Sequence, residues 1–260
     1  MAESELRSEQ RTFSKDQLIL PEKQLPQEVS DILQRAEKAG IKTFEPYHLS
    51  DITLTKDSKV EGWDKKPRDW YWEQIEHGNL DEDAAKLADS WILIDKTIRP
   101  NYRNGNQVHE NDPFGVLMER LRKEGKVGSM DDTHTIDPKF SRKMPATSRF
   151  GASYDELVEI IFPEIAKTLG VDKSQVRLPK AIEFNVVGNF KHPEWGEVNT
   201  REWFADKFKY DKDSVSIYHM NGGDSKQGGS GLARSYEHNW SNSKGDDIAF
   251  RPLVVVPTKG

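Results

Sequence analysis

No cysteine occurs anywhere in the 260 residues. Disulfides, thiolate nucleophiles, iron–sulfur clusters and cysteine-ligated zinc are therefore excluded. Long hydrophobic runs are missing too. The longest, Trp91-Ile92-Leu93-Ile94 and Leu253-Val254-Val255-Val256, are far too short to span a bilayer. The first 20 residues are charged and hold no apolar segment, so no secretory signal is read there and a cytoplasmic or virion-associated location is the expectation. An excess of basic charge is also absent. Lys and Arg number 38 against 44 Asp and Glu, a net charge of -6, which argues against nucleic acid as the main partner, since duplex binding needs a concentrated basic face. No Gly-x-Gly-x-x-Gly is present, and Gly228-Gly229-Ser230-Gly231 lacks the lysine and the strand–helix setting of a phosphate loop. His192, His219 and His238 match no metal-ligand spacing. No cofactor is expected.

What is there describes a protein with much polar surface: 35% hydrophobic residues, 32% charged, mean hydropathy -0.81. The length allows one large domain or two small ones with a full core. Met1 to Asp16 reads as a mobile tail. Pro26 to Ala39 reads as a short helix, with Val29, Ile32, Leu33 and Ala36 at helical spacing and Gly40 past its end. Trp63, Trp70, Tyr71 and Trp72 cluster within ten residues and favour core packing over ligand stacking. Asp81 to Ser90 looks helical, Trp91 to Asp95 is a strand, and Pro113 to Lys123 is a helix with Asp112 as its N-cap. In the connector from Gly128 to Phe150, Asp131, Asp132, His134 and Asp137 lie close together, either as a solvated loop or as ligands to a divalent cation. Ser153 to Leu169 carries the clearest helical signal, a Ser153/Glu156 capping box with Leu157, Ile160, Ile161, Ile165 and Leu169 on one side. Pro163 should kink or split it.

The C-terminal third changes character. Ile182 to Val187 and Val215 to Tyr218 suggest short strands, and Leu253 to Val256 suits a buried terminal strand. Between the last two, Asn221 to Asp247 holds six of the 18 glycines together with many serines and asparagines and few apolar residues. A polar stretch of that length inside a compact domain is usually functional or disordered. Anchored at both ends, with Tyr236 and Trp240 among small polar residues, it has the composition of an antibody paratope. A plain surface loop is the alternative. Glu183 and Glu202 stand beside aromatics and are expected to pair with Arg177 and Arg251; a general acid/base pair is the functional alternative.

Several motifs occur in a telling order: Arg177-Leu178-Pro179, Glu183-Phe184, Trp195-Gly196, Asn199-Thr200-Arg201-Glu202-Trp203, Gly222-Gly223 and Phe250-Arg251-Pro252. The series resembles the C-terminal half of the formylglycine-generating-enzyme type of C-type lectin fold. It is more similar to the variable proteins of diversity-generating retroelements, over roughly Trp91 to Pro257. The resemblance implies an α+β, C-type-lectin-like fold with short antiparallel sheets, flanking helices and long loops. Residues 1-40 would be a tail and helix, and residues 41-260 the lectin-like domain with a variable region at 221-252. It also implies a non-enzymatic protein that binds an unknown protein or surface ligand. The sulfatase-modifying enzymes of this fold depend on cysteines, and Val198, Arg201, Asp224-Ser225 and Ala249 depart from their pattern, so catalytic and calcium-site roles do not carry over. A metal-dependent oxidoreductase of the same superfamily and a structural virion or envelope protein are the rival readings.

On this reading Trp203, Phe250 and Arg251 are buried supports. Tyr236, His238, Asn239, Asn242, Ser243, Lys244 and Asp246 project to solvent on one face. Leu232, Ala233 and Ile248 point inward, and Trp240 does either.

Overall fold

Trp91-Ile92-Leu93-Ile94 lies in the strand Ser90–Asp95, every residue of which is buried. Side chains alternate across a strand, so Trp91 and Leu93 join one core while Ile92 and Ile94 join another on the opposite side. A continuous apolar run is the signature of a strand covered on both faces, and this one sits in the middle of the molecule. The structure is a computed structural model that describes residues 11–21, 24–128, 144–210, 214–225 and 229–258, without the side chains of residues 236–238.

In chain order the strands are β1 (Thr12–Phe13), β2 (Ile19–Leu20), β3 (Phe44–Leu49), β4 (Ile52–Thr53), β5 (Lys59–Val60), β6 (Lys86–Leu87), β7 (Ser90–Asp95), β8 (Val176–Arg177), β9 (Arg201–Phe208), β10 (Tyr218–Gly222), β11 (Ser235–Trp240), β12 (Ile248–Ala249) and β13 (Leu253–Pro257). The central sheet has the order β2-β3-β7-β13-β8 and is antiparallel throughout. A second sheet has the order β11-β10-β9-β12, with β12 parallel to β9 and the other pairs antiparallel. Two small pairs, β1-β5 and β4-β6, and an isolated antiparallel bridge from Leu80 to Phe208 stand beside these sheets. The architecture is mixed α+β.

Helices flank the sheets as the apolar periodicity predicts, with three instructive differences. Gln27–Lys38 forms as expected and buries Val29, Ile32 and Ala36 among Phe44, Trp91, Ile165 and Leu169. Together with β1 and β2, which pair with β5 and β3, it builds the described part of residues 1–40 into the same body. The tail reading of Met1 to Asp16 therefore fails from Thr12 onward. Asp81 to Ser90 gives only a 3-10 turn, Glu82–Ala85, followed by β6. The helix after Asp112 starts at Gly115; Asp112 accepts a hydrogen bond from the Phe114 amide at 2.9 Å, so the turn precedes the helix rather than opening it.

The largest difference is at Ile182 to Val187, read as a strand from its β-branched and aromatic content. It is part of an α-helix, Ala181–Lys191, in which Ala181 to Gly188 are all buried. A helix apolar on every side has no amphipathic period to betray it. The local signal was at its start: Pro179 precedes it, and Glu183 reaches back to accept the Lys180 amide at 2.8 Å. Further along, the Ser153/Glu156 capping box forms as expected. Pro163 is accommodated by a π turn, Leu157–Ile161, between the helical segments Tyr154–Glu156 and Phe162–Leu169. The wider turn relieves the missing donor and the ring clash that proline imposes on a regular α-helix. Gly170 closes the helix at φ 63°.

Candidate functional site

The second sheet is set on a buried ionic scaffold. Glu202, fully buried on β9, receives Arg99 on one oxygen and the Arg251 Nε at 3.0 Å on the other. Arg251 donates onward to the Asp95 and Thr97 carbonyls, and its guanidinium sits 3.8 Å from the Trp195 ring centre. Arg149 then joins the Asp95 carboxylate to Asp112, at 2.8 Å through Nε. Three guanidiniums thus meet three carboxylates, Glu202, Asp95 and Asp112, in the interior. Burial pushes the Asp95 carboxyl up, but Arg149 and Arg251 outweigh it and hold the group well below the usual carboxylate range. Glu183 is likewise buried and takes Arg177 as a fork, both bonds at 2.7 Å. The pairings expected for Glu183 and Glu202 are therefore both present. Sequence reasoning missed Arg99, Arg149, Asp95 and Asp112. For Asp95 and Arg99 the sign was charge at the end of an apolar strand; Asp112 was read only as an N-cap, and Arg149 carried no local sign.

The chain between β11 and β12 is stapled to this scaffold from several sides. Arg201 holds Asp247 bidentately at 3.0 and 2.8 Å and donates to Asn221 at 3.1 Å. Asp246 is 2% exposed; its carboxylate accepts from Tyr102 at 2.6 Å and its carbonyl from the Gln107 amide. Lys244 reaches Glu156 at 2.7 Å. Ser241 exchanges hydrogen bonds with Asp155, at 2.9 Å through its hydroxyl and 3.0 Å through its carbonyl. Glu156 caps its own helix while receiving Lys244 and the Gly128 amide; burial raises its pKa but these donors lower it further, below the ordinary value.

This corrects the expectation that Lys244 and Asp246 project to solvent. Their charged groups are drawn inward by half-buried partners: Lys244 by Glu156, and Asp246 by Tyr102. Burial correspondingly raises the Asp246 carboxyl. Leu232 and Ile248 point inward as expected, whereas Ala233 is only half-buried. Trp203, Phe250 and Arg251 are buried as expected.

What remains outward is narrower. Trp240 is 50% exposed, at the end of the edge strand β11, and its ring lies 4.3 Å from that of Tyr218. Tyr218 faces Phe208 on β9 and Trp240 on β11 in register, and Tyr210 adds a fourth ring 5.1 Å from Tyr218. Asn239 is opposite His219 and so points to the other side of the sheet from Trp240. His219 is stacked on Tyr154 at 3.4 Å. Burial, then Lys207, pulls its pKa down to about 4, so the ring is neutral at pH 7. Asn242 is exposed and Ser243 half-buried. Tyr236 and His238 belong to β11 by backbone, and their side chains lie outside the described residues.

A close approach of chain to chain fixes where this segment begins. A Cβ on Gly222 would run into the Arg234 carbonyl, and one on Gly231 into the Gly223 carbonyl. Gly223 itself has φ 86°, a conformation that glycine alone adopts without strain. Asn185, in the buried helix, donates to the Leu232 and Lys65 carbonyls at 2.6 and 2.7 Å and accepts from Trp63 at 2.6 Å.

The Asp131, Asp132, His134 and Asp137 group lies outside the described residues. Among the described residues no group of three or more His, Asp or Glu side chains is placed to hold a metal ion, and no helix is long and apolar enough to cross a membrane. No family model, curated protein or solved structure matches this chain.

Proposed function

We propose that this protein is a non-enzymatic binder: a C-type-lectin-like scaffold of the retroelement variable-protein kind that presents a ligand-contacting strip along β11 and the loop after it. The observation that carries the reading is the exposed Trp240 at the end of an edge strand, its ring packed against that of Tyr218. Large exposed aromatics on a rigid support are what binding surfaces use, because they supply contact area at small entropic cost. The resemblance of the motif series from Arg177 to Pro252 supports the same assignment.

The contact residues on this reading are Tyr236, His238, Trp240, Asn242 and Ser243. Asn239, on the other side of the sheet, leaves that set, and Lys244 and Asp246 leave it as anchors. The experiment is a pair of display libraries, scored separately for folding and for capture of a panel of protein ligands. One is randomised at the five contact positions, the other at Lys244 and Asp246. The first should fold in most members and yield binders of differing specificity; the second should lose most of its folded members. If the first library fails to fold, or folds but never yields a binder, the binding strip is wrong.

A further inference from the structure

Beside the π turn Leu157–Ile161 lies an open cavity of about 590 Å³ that takes no part in the strip described above. Its size is that of a small-molecule site. Its lining is two-sided in chemistry. Phe162, Pro163, Val176 and Leu178 supply apolar surface, while Lys173 and Arg177 bring two cations against one carboxylate, Glu159.

Three features set this cavity apart from an incidental crevice. First, Val158 is 47% exposed at its edge, on a π turn, a rare element that concentrates at functional sites. Second, its rim carries basic side chains. Arg177 is locked by the two-pronged contact with Glu183, yet its side chain keeps 29% exposure, and Lys173 has no ion-pair partner among the described residues. Glu183 fixes the place of Arg177 and offsets its charge, so Lys173 brings the uncompensated cation. Third, Tyr154 is fixed by its ring, stacked on His219 and edge-on to Trp203 at 6.2 Å, while its hydroxyl makes no hydrogen bond among the described residues. Burial and the charge of Asp206 push that hydroxyl up to about 12, against the opposing pull of Arg177. It stays protonated and remains a donor.

We propose that this cavity binds a small amphipathic monocarboxylate, its apolar body against Val158, Phe162 and Leu178 and its carboxylate met by Lys173, Arg177 and the Tyr154 hydroxyl. Amphipathic alcohols and amines of the same length are discriminated against, because neither offers an anion to these donors.

The test is isothermal titration of the full chain with octanoate, 1-octanol and octylamine. Octanoate should bind with one molecule per chain, and 1-octanol and octylamine at least about tenfold more weakly. Lys173→Glu, at an exposed position, should weaken octanoate by about tenfold and narrow the gap to octylamine. Tyr154→Phe keeps the ring stack and should weaken octanoate several-fold. Val158→Trp should block binding without moving the thermal midpoint; should that variant fail to fold, Lys173→Glu decides. Absence of saturable octanoate binding, equal binding of octanoate and 1-octanol, or octanoate binding unchanged in Lys173→Glu would overturn the proposal.

Discussion

Two regions of this molecule invert the usual distribution of side chains. Beneath β9, in the interior, Arg99, Arg149 and Arg251 meet Glu202, Asp95 and Asp112. On the outer end of the same sheet, Tyr210, Tyr218 and Trp240 stand ring against ring with Tyr210 and Trp240 largely exposed. Burying charge is costly unless every charge is matched, and exposing aromatics forgoes the strongest packing available to a core. Each departure therefore needs a gain of its own. The interior ions fix direction: guanidinium forks bind only at set angles, so the loop ends before and after the strip are held in one geometry. The exposed rings supply a surface. One region is rigid because its contacts are directional, and the other is free to contact a partner because little depends on it.

That contrast can be broken most forcefully from below. Trp203 is fully buried and donates its indole N–H to the Ala152 carbonyl at 3.1 Å. Trp203→Ala should cost ~3–5 kcal/mol through the cavity it leaves, read as a large drop in the thermal midpoint. An unchanged melt would remove Trp203 from the supports of the strip.

Glu202→Gln keeps the shape of the side chain and leaves Arg99 and Arg251 without their shared counter-charge. Breaking a buried pair from one side costs about 3–5 kcal/mol. Denaturant unfolding should show that loss. A variant as stable as the wild type would mean the interior charges are not what holds β9 and the chain around Arg251 together.

Asp206 sharpens the point, because it is a buried carboxylate without the pairing that Asp95 has. One oxygen accepts the Ala181 amide at 2.6 Å and the other has no hydrogen-bond partner. Burial raises its pKa to about 7. A carboxyl whose pKa is higher in the fold than in the unfolded chain binds more protons when folded. Its contribution is thus favourable at low pH and is lost as pH rises from about 4 to about 7, by up to ~4 kcal/mol. Asp206→Asn should flatten stability over that window and make the variant the more stable of the two at pH 8. If wild type and variant run parallel from pH 4 to pH 8, Asp206 is not protonated in the fold.

The smallest effect belongs to the strip itself. Replacing the exposed Asn242 by serine should change stability by no more than about 0.5 kcal/mol, as exposed substitutions away from caps and cores do. A clear loss in the melt would show the strip to be structural and would erase the contrast.

Much of this arrangement was legible in the residues. The strands Ser90–Asp95 and Leu253–Pro257, the helix Gln27–Lys38, the Ser153/Glu156 cap and the pairing of Glu183 and Glu202 with arginines all follow from local period, cap chemistry and the rule that buried charges need partners. The series of motifs from Arg177 to Pro252 bracketed the polar segment but did not show its inner structure. Only the tertiary fold decided that Ala181–Lys191 is a helix, since a segment buried all round carries no periodic signal. It also decided that Lys244 and Asp246 turn inward, because Glu156 and Tyr102 lie far off in sequence and come within 2.7 and 2.6 Å only when the chain closes. Periods and caps are properties of neighbours along the chain, and a single sequence states them. A partner across the fold, distant along the chain, becomes visible only once the backbone has brought the two together.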